Sequence, residues 1–275
     1  MQNNPHSQQA IGMFDSGVGG LTVMKEVTKL LPHEKVVYFG DTARLPYGEK
    51  SCDTIIRYTI DSALFLMEQN IKMLVIACHT SSSYSIDKLR KIFNIPVLGV
   101  IEPSVKKAVS ATRSQRIAVL GTKGTIRSGV YQNEIRKRLP DAFVMATACP
   151  LFVPLIEERL MSHQATKLII EEYLTPVLEQ KIDTLLLACT HYPLLRPQIE
   201  EMAGKGITII DPAVACAEEI HSILHAKQHQ LSQAFPPDHR WFVSDDPDKF
   251  RAIGSAFLGN SLTHVEKASL FSASF

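Results

Sequence analysis

Two cysteines carry the clearest chemical signal in the sequence. Cys78 follows the apolar run 73–77, and Cys189 follows the apolar run 184–188. Each lies where a helix is expected to begin, and the partial positive charge of a helix N-terminus lowers the pKa of a thiol toward neutrality. Two such thiols on opposite sides of one cleft could remove a proton from one face of a small substrate and add a proton to the other face.

The remaining cysteines indicate packing rather than chemistry. A lone cysteine near a strand end usually behaves as a small core hydrophobe, and Cys52, Cys149 and Cys216 have no matching partner in the sequence. The five cysteines show no CxxC spacing and no zinc-type cluster. Their odd number and low density are also unlike a disulfide scaffold. The sequence therefore predicts free thiols in a reducing compartment and no metal site.

The elements that would position Cys78 and Cys189 alternate along the chain. Short runs that are apolar throughout alternate with longer amphipathic stretches, which predicts an α/β fold with parallel sheets covered on both faces. Ligands of such sheets bind at the carboxyl ends of the strands. The residues that follow the predicted strands are therefore the candidates for a site: Asp15, Ser16, Asp41, Pro46, Tyr47, Gly48, Cys78, His79, Thr80, Gly121, Thr122, Glu157, Cys189, Thr190 and His191.

The glycine-rich turn 17–20, after the first predicted strand, does not indicate a nucleotide site. Thr22 stands where the GxGxxG pattern requires its third glycine, and no GxxxxGK[ST] pattern is present. The turn is interpreted as a tight connection with close helix–sheet packing. No cofactor is expected.

The order of elements recurs in the second part of the chain. Four pairs of landmarks keep nearly one offset: Phe14 with Leu120, Pro46 with Pro154, Cys78 with Cys189, and Pro103 with Pro212. This pattern predicts an internal duplication of an α/β half. We expect a loose tail over 1–10, a first α/β domain over 11–102 plus 213–275, and a second over 103–212. The segment 213–275 is too short to form its own domain and should pack on the first.

Three helices are expected in the second half of this duplication. The first follows the loop 121–125 and runs to Leu139. The second covers roughly 164–180 and is interrupted at Pro176, because proline lacks the N–H that an internal helical hydrogen bond needs. The third begins near Leu194, shortly after Cys189.

Several motifs together resemble the glutamate racemases of the aspartate/glutamate racemase family. They are Asp15-Ser16-Gly17-Val18-Gly19-Gly20, Phe39-Gly40-Asp41-Thr42-Ala43-Arg44, Pro46-Tyr47-Gly48, Cys149-Pro150-Leu151-Phe152-Val153-Pro154 with Glu157, Cys189-Thr190-His191-Tyr192-Pro193-Leu194-Leu195, and Asp246-Pro247 before a terminal helix. The resemblance covers about 11–258. It implies two pseudo-symmetric α/β domains with the active site in the cleft between them. It also implies cofactor-independent interconversion of L- and D-glutamate, which supplies D-glutamate for peptidoglycan and hence for cell wall biogenesis and cell shape.

The resemblance further implies a role for each candidate residue. Cys78 and Cys189 would be the two catalytic acid/bases, with Asp15 supporting Cys78, and Glu157 and His191 supporting Cys189. The substrate glutamate would be held by Asp15, Ser16, Pro46, Tyr47, Gly48, Cys78, His79, Thr80, Thr122, Cys189, Thr190 and His191. Hydroxyl groups and the backbone N–H groups of helix starts suit its carboxylates. A homodimer is one assembly compatible with the resemblance.

His79 departs from the family pattern, which usually has asparagine after the first catalytic cysteine. Asparagine can donate to a carboxylate and accept from an ammonium group, whereas neutral histidine does each with one ring nitrogen. One interpretation is a conservative replacement that keeps one hydrogen bond. The other is a change in affinity, pH dependence or substrate preference.

Composition excludes several other classes of protein. The chain has 275 residues and a formal net charge of +1, which gives no electrostatic reason to expect nucleic acid or an anionic membrane as a partner. The first ten residues lack the apolar segment of a signal peptide, and no apolar run is long enough to cross a bilayer, so a cytoplasmic location is expected.

Three alternatives to a glutamate racemase stay open at this point. The first is a racemase of the same fold that acts on aspartate or another amino acid. The second is a hydrolase or transferase with one cysteine nucleophile, activated by His79 or His191. The third is an amino-acid-binding protein, which would not need paired thiols at symmetric positions.

Overall fold

The computed structural model describes residues 8–227, 237–259 and 261–270. Within these ranges the strands are β1 Ala10–Asp15, β2 Val36–Gly40, β3 Ile71–Ile76, β4 Val97–Gly99, β5 Arg116–Gly121, β6 Phe143–Ala148, β7 Thr184–Ala188, β8 Thr208–Ile210, β9 Arg240–Val243 and β10 Glu266–Lys267. The helices are α1 Leu21–Leu30, α2 Cys52–Glu68, α3 His79–Ile92, α4 Ile101–Ala111, α5 Lys123–Arg127, α6 Val130–Arg138, α7 Phe152–Glu157, α8 Gln164–Leu178, α9 Arg196–Ala203, α10 Pro212–Ala226 and α11 Pro247–Leu258. No helix in these ranges is long and apolar enough to cross a membrane.

The strands form two sheets with the same central topology. The first sheet has the order β10-β9-β2-β1-β3-β4, and the second has the order β6-β5-β7-β8. All pairings in both sheets are parallel. The order β2-β1-β3-β4 therefore repeats as β6-β5-β7-β8, as an internal duplication predicts. The predicted fold class, two pseudo-symmetric parallel α/β units, is confirmed.

Burial on both faces explains the continuous apolar runs. Every residue of β1 is buried, but successive side chains point to opposite faces of a sheet. Ile11 and Met13 belong to one core cluster, whereas Ala10 and Phe14 belong to another. A strand covered on both faces cannot alternate with polar residues, which is why the sequence shows runs rather than alternation.

The domain limits predicted from the sequence fall in or beside particular elements. Strands β9 and β10, from the last part of the chain, extend the first sheet beside β2. The expected limit between 102 and 103 falls inside α4, which connects the two sheets. Ala10 is already the first residue of β1, so the expected tail 1–10 overlaps this strand by one residue, and residues 1–7 lie outside the described residues.

Two expectations about helices are wrong. The helix expected to reach Leu139 is two helices, α5 and α6, because the chain turns at Gly129 with a φ of 68°. Helix α8 is not interrupted at Pro176 but includes it and ends two residues later, where a missing N–H removes only one bond of the last turn. The helix expected from near Leu194 is α9, which begins at Arg196 directly after the 3-10 turn Tyr192–Leu195.

Candidate active site

A cleft of about 370 Å³ lies at the carboxyl ends of the central strands of both sheets. It gathers every predicted catalytic and substrate-binding residue except Asp15: Ser16, Pro46, Tyr47, Gly48, Cys78, His79, Thr80, Thr122, Glu157, Cys189, Thr190 and His191. Its other lining residues are Leu45, Glu49, Lys123, Pro150, Val153, Pro154 and Glu158. Of these, Glu49, Lys123 and Glu158 escaped the sequence analysis because charged residues at a loop or helix start normally indicate only a solvated surface.

Cys78 follows β3 and is the residue from which α3 begins. Its Sγ lies 3.5 Å from Ser16 Oγ. Burial raises the pKa of the Cys78 thiol to about 11, and the negative charge of Asp15 acts in the same direction. The expectation that the helix start brings this thiol near neutrality is therefore wrong, and Cys78 holds its proton at neutral pH.

Asp15 ends β1 and lies beneath the cleft, fully buried. Its carboxylate accepts a hydrogen bond from the Gly17 N–H at 3.0 Å and one from Thr190 Oγ1 at 3.5 Å. Burial raises the pKa of Asp15. Asp15 thus holds the glycine-rich turn and reaches Thr190 of the second half, while its influence on Cys78 is electrostatic.

Cys189 is paired with a histidine and a carboxylate. Its Sγ lies 4.0 Å from His191 Nδ1, and His191 Nε2 lies 2.9 Å from Glu157 Oε1. Burial opposes protonation of His191, but its hydrogen bonds with Cys189 and Glu157 outweigh burial and raise its pKa to about 10. Burial also raises the pKa of Glu157, yet His191 reverses that shift and lowers it. His191 is therefore an imidazolium between a sulfur and a carboxylate.

A cluster of threonine hydroxyls forms another wall of the cleft. Thr80 Oγ1 lies 2.9 Å from Thr122 Oγ1 and 3.2 Å from Thr125 Oγ1, and the latter two are 3.0 Å apart. Thr122 also caps α5 by accepting from the Thr125 N–H. Thr125 was not among the residues predicted for the site. Its position three residues after Thr122, a residue type that often caps helices, could have indicated it.

Asp41 anchors the Pro46-Tyr47-Gly48 segment without lining the cleft. It is fully buried and accepts hydrogen bonds from Tyr47 Oη and from Ser244 Oγ, the latter at 2.8 Å. Arg44 Nε lies 2.5 Å from the same carboxylate. Asp41 therefore acts on the site through Tyr47.

His79 lines the cleft next to Cys78 and is almost fully buried. Its Nδ1 lies 2.6 Å from the hydroxyl of Tyr131, a residue of the second half. Burial lowers the pKa of His79 to about 3, so the ring is neutral at physiological pH. No motif in the sequence marks Tyr131, because its role depends on a contact between the two halves.

The other cysteines are free thiols with different surroundings. Cys149 and Cys216 are fully buried in the hydrophobic core, and burial raises the pKa of Cys216 to about 12. Cys52 is exposed at the start of α2, so the expectation that all three pack in the interior is wrong for this residue. Across residues 8–227, 237–259 and 261–270, no group of three or more His, Cys, Asp or Glu could hold a metal ion.

The fold and cleft define a duplicated parallel α/β protein with two thiols in one shared site. Residues 16–220 match the family model described as Asp/Glu/Hydantoin racemase. The chain belongs to this Asp/Glu/Hydantoin racemase family.

Its curated relatives include glutamate racemases of nearly the same length. The chain is 45% identical over 262 residues to the glutamate racemase of Geobacter metallireducens, covering 95% of this chain and 97% of that protein. It is 42% identical over 270 residues to that of Syntrophus aciditrophicus, covering 98% and 100%.

Solved structures of glutamate racemases share its fold over almost the whole chain. The isoform RacE1 of Bacillus anthracis aligns with a TM-score of 0.93 at 35% identity, covering 96% of this chain and 99% of that one. The enzyme of Francisella tularensis, solved in complex with D-glutamate, aligns with a TM-score of 0.91 at 36% identity, covering 97% and 99%.

Proposed function

We propose that this protein is a cofactor-independent glutamate racemase that interconverts L- and D-glutamate by proton transfer between two cysteines. The observation that carries the proposal is the placement of Cys78 and Cys189 at equivalent strand ends, after β3 and β7, in one cleft. The family membership and the glutamate racemases among the relatives support it.

The surroundings of the two sulfurs suit opposite roles in each turnover. The imidazolium of His191 lies beside the sulfur of Cys189, and we assign Cys189 the role of the base. Cys78 holds its proton at neutral pH and can act as the acid. With Cys78 as the acid and Cys189 as the base, one direction of the reaction can begin without taking a proton from solvent.

The proposed step moves one proton to each face of the α-carbon. The Cys189 thiolate takes the α-proton, and the electron pair of the broken C–H bond moves into the α-carboxylate. The Cys78 S–H bond then breaks, and its proton joins the α-carbon from the opposite side. The product is the other enantiomer, with Cys189 as a thiol and Cys78 as a thiolate, and the reverse direction exchanges the two roles.

The size and polarity of the cleft support a small amino acid as substrate. A volume of about 370 Å³ lies near the lower end of small-molecule sites. The Thr80 and Thr122 side chains supply hydroxyl groups of the kind that bind carboxylates. Asp15 and Glu157 supply negative charge near the site, which suits an ammonium group.

Isotope exchange tests the proposed activity directly. The protein is incubated in D₂O with single enantiomers of glutamate and, separately, of aspartate, and deuterium at the α-carbon is followed together with optical rotation. We expect exchange and racemisation of glutamate without an added cofactor. An absence of exchange with both amino acids would contradict the proposal, and exchange of aspartate alone would reassign the substrate.

Single Cys78→Ser and Cys189→Ser variants test the two-base assignment. Each should lose nearly all racemisation, because a serine hydroxyl is a far weaker acid than a thiol. The matched control is Cys52→Ser, since Cys52 is exposed on α2 outside the cleft, and it should leave the rate unchanged. Full activity of Cys189→Ser would refute the two-base mechanism even in a working racemase.

A cysteine hydrolase is the second candidate, and one observation favours it. Cys189, His191 and Glu157 are arranged like a nucleophile, a base and the group that orients the base. That reaction would leave Cys78 without a role. It predicts a covalent acyl-enzyme on Cys189 and no exchange of the α-proton, so the D₂O experiment separates the two functions.

We further propose that the protein acts in the cytoplasm, supplies D-glutamate for peptidoglycan, and forms a homodimer. The free state of all five cysteines supports a reducing compartment. The assembly is tested by sedimentation of the purified protein with and without D-glutamate.

A further inference from the structure

An ion pair joins the two halves of the molecule at the rim of the cleft. Lys123 Nζ lies 3.2 Å from Glu49 Oε1 and 3.5 Å from Glu49 Oε2. Glu49 ends the 3-10 turn Tyr47–Glu49 in the first half, and Lys123 is the first residue of α5 in the second half. Both residues line the cleft, and each side chain is 52% exposed. The pair therefore lies where the cleft opens to solvent.

Positive charge is scarce in this cleft. Among the described residues that line it, Lys123 is the only lysine or arginine, whereas Glu49, Glu157 and Glu158 are carboxylates. The other cation, the His191 imidazolium, is already paired with Glu157 at 2.9 Å. Lys123 is thus the positive charge at the rim that an anionic ligand can reach, and Glu49 competes with such a ligand for it.

The depth of the two cysteines indicates which carboxylate of glutamate would meet Lys123. In the proposed reaction the α-carbon lies between Cys78 and Cys189, whose side chains are deep in the cleft and only 5% and 6% exposed. The α-carboxylate is bonded directly to that carbon and stays at the same depth. The side-chain carboxylate is three carbon–carbon bonds away and can extend toward the rim, where Lys123 lies.

We propose that Lys123 is a specificity-determining residue that exchanges Glu49 for the side-chain carboxylate of the substrate glutamate. The inference rests on the proposed function for its substrate. The exchange costs little, because water screens a half-exposed ion pair and leaves it weak. It favours glutamate over glutamine, whose side-chain amide carries no charge, and over aspartate, whose carboxylate is one bond closer to the α-carbon and extends less far toward the rim.

Lys123→Gln and Glu49→Gln should change glutamate binding in opposite directions. The Kd is measured by NMR titration of the full-length protein with an equal mixture of both enantiomers, whose composition racemisation leaves unchanged. We expect Lys123→Gln to raise the Kd about threefold, the size of a partly exposed ion pair, and Glu49→Gln to lower it by a similar factor. Lys50→Gln is the control, since it removes the same charge beside Glu49 but outside the cleft lining. An unchanged Kd for Lys123→Gln would overturn the proposal.

The double variant separates an exchange of partners from simple repulsion by Glu49. If Glu49 acts by holding Lys123, its removal should no longer strengthen glutamate binding once Lys123 is glutamine. If Glu49 only repels the substrate carboxylates, its removal should strengthen binding equally in both backgrounds. We expect the first result, which is a clear coupling between the two substitutions. Equal effects in both backgrounds would overturn the exchange.

Titration with glutamine identifies the carboxylate that Lys123 contacts. Glutamine keeps the ammonium group and the α-carboxylate, so Lys123→Gln should leave its Kd unchanged, and NMR titration resolves even millimolar affinities. An equal weakening of glutamine and glutamate would place Lys123 at the α-carboxylate and overturn the proposal. Glutamate binding that depends on Lys123 without α-proton exchange in D₂O would refute the racemase and keep this assignment. Racemisation with a Kd independent of Lys123 would do the reverse.

Discussion

Single residues set the protonation of the site through what surrounds them. Cys78 lies in a buried environment with Asp15 nearby, which raises its thiol pKa to about 11. His191 lies between a sulfur and the Glu157 carboxylate, which raises its pKa to about 10 despite burial. Cys78 and Cys189 occupy equivalent positions in the two halves, yet their surroundings differ. Asp15 lies near Cys78, whereas His191 and Glu157 lie near Cys189.

The raised pKa of His191 predicts a loss of stability at alkaline pH. A histidine with a pKa of about 6.5 when unfolded and about 10 when folded contributes stability that is fully present below the lower value. This contribution falls as the pH rises from about 6.5 to about 10, where only the folded state still holds the proton, and it is lost above about 10.

Denaturant unfolding between pH 6 and 11 measures this contribution. The free energy of unfolding of the native protein should fall more steeply than that of His191→Asn, which has no imidazolium to lose. His33→Asn, a change at an exposed position, should follow the native curve. Parallel curves for the native protein and His191→Asn would show that His191 is not an imidazolium in the folded state.

Short segments that follow the strands form the site. Glycine lets two of these segments approach each other without an intervening side chain. The glycine-rich turn after β1 packs directly on the segment after Cys189. Thr22 Oγ1 donates to the Thr190 carbonyl at 2.9 Å, and a β-carbon on Gly19 would lie 2.3 Å from Thr190 Oγ1 and 2.4 Å from His191 Nδ1. The glycine is therefore needed for the close approach between the two halves.

A Gly19→Ala substitution should impair catalysis more than folding. The added methyl group must displace Thr190 and His191, and displacements of about 1 Å in a site can reduce rates roughly a hundredfold. We expect kcat to fall by at least about tenfold with a modest decrease in Tm. Gly206→Ala is the control, since its β-carbon would meet no atom within 4 Å; an unchanged kcat for Gly19→Ala would contradict the prediction.

On the scale of the whole molecule, the two halves meet at the rim of the cleft. Gly124 of α5 faces Gly48, and a β-carbon on Gly124 would lie 3.1 Å from the Gly48 carbonyl oxygen. Tyr84 Oη donates to the Gly124 carbonyl at 2.9 Å, and Arg127 donates to the Lys50 carbonyl at 2.8 Å. These polar contacts join the two halves at this side of the cleft.

A Gly124→Ala substitution should disturb this contact between the halves. The methyl group would also lie 3.0 Å from Thr80 Cγ2, so the two halves must separate slightly or Thr80 must move. We expect the KM for glutamate to rise severalfold while Tm changes little, because neither sheet is disturbed. Small-angle X-ray scattering and steady-state kinetics check this, with Gly206→Ala again as the control. An unchanged KM would show that close contact at Gly124 is not required.

Local sequence patterns were sufficient to predict most of the fold and most of the residues that line the cleft. The apolar run 184–188 is β7, because such runs depend on neighbouring residues alone. The turn at Gly129 and the continuity of α8 at Pro176 were missed. Both depend on how the surrounding helices pack, which local propensity does not contain.

The amino-acid sequence was enough to predict the parallel α/β class, the duplication and the pairing of Cys78 with Cys189. These follow from apolar runs, repeat spacing and the rule that ligands bind at the carboxyl ends of strands. The folded structure was needed to establish the protonation of Cys78, the partner of His79 and the anchoring of Tyr47 by Asp41. Each of these depends on burial and on contacts between residues far apart in the chain, and such contacts exist only once the two halves have packed together.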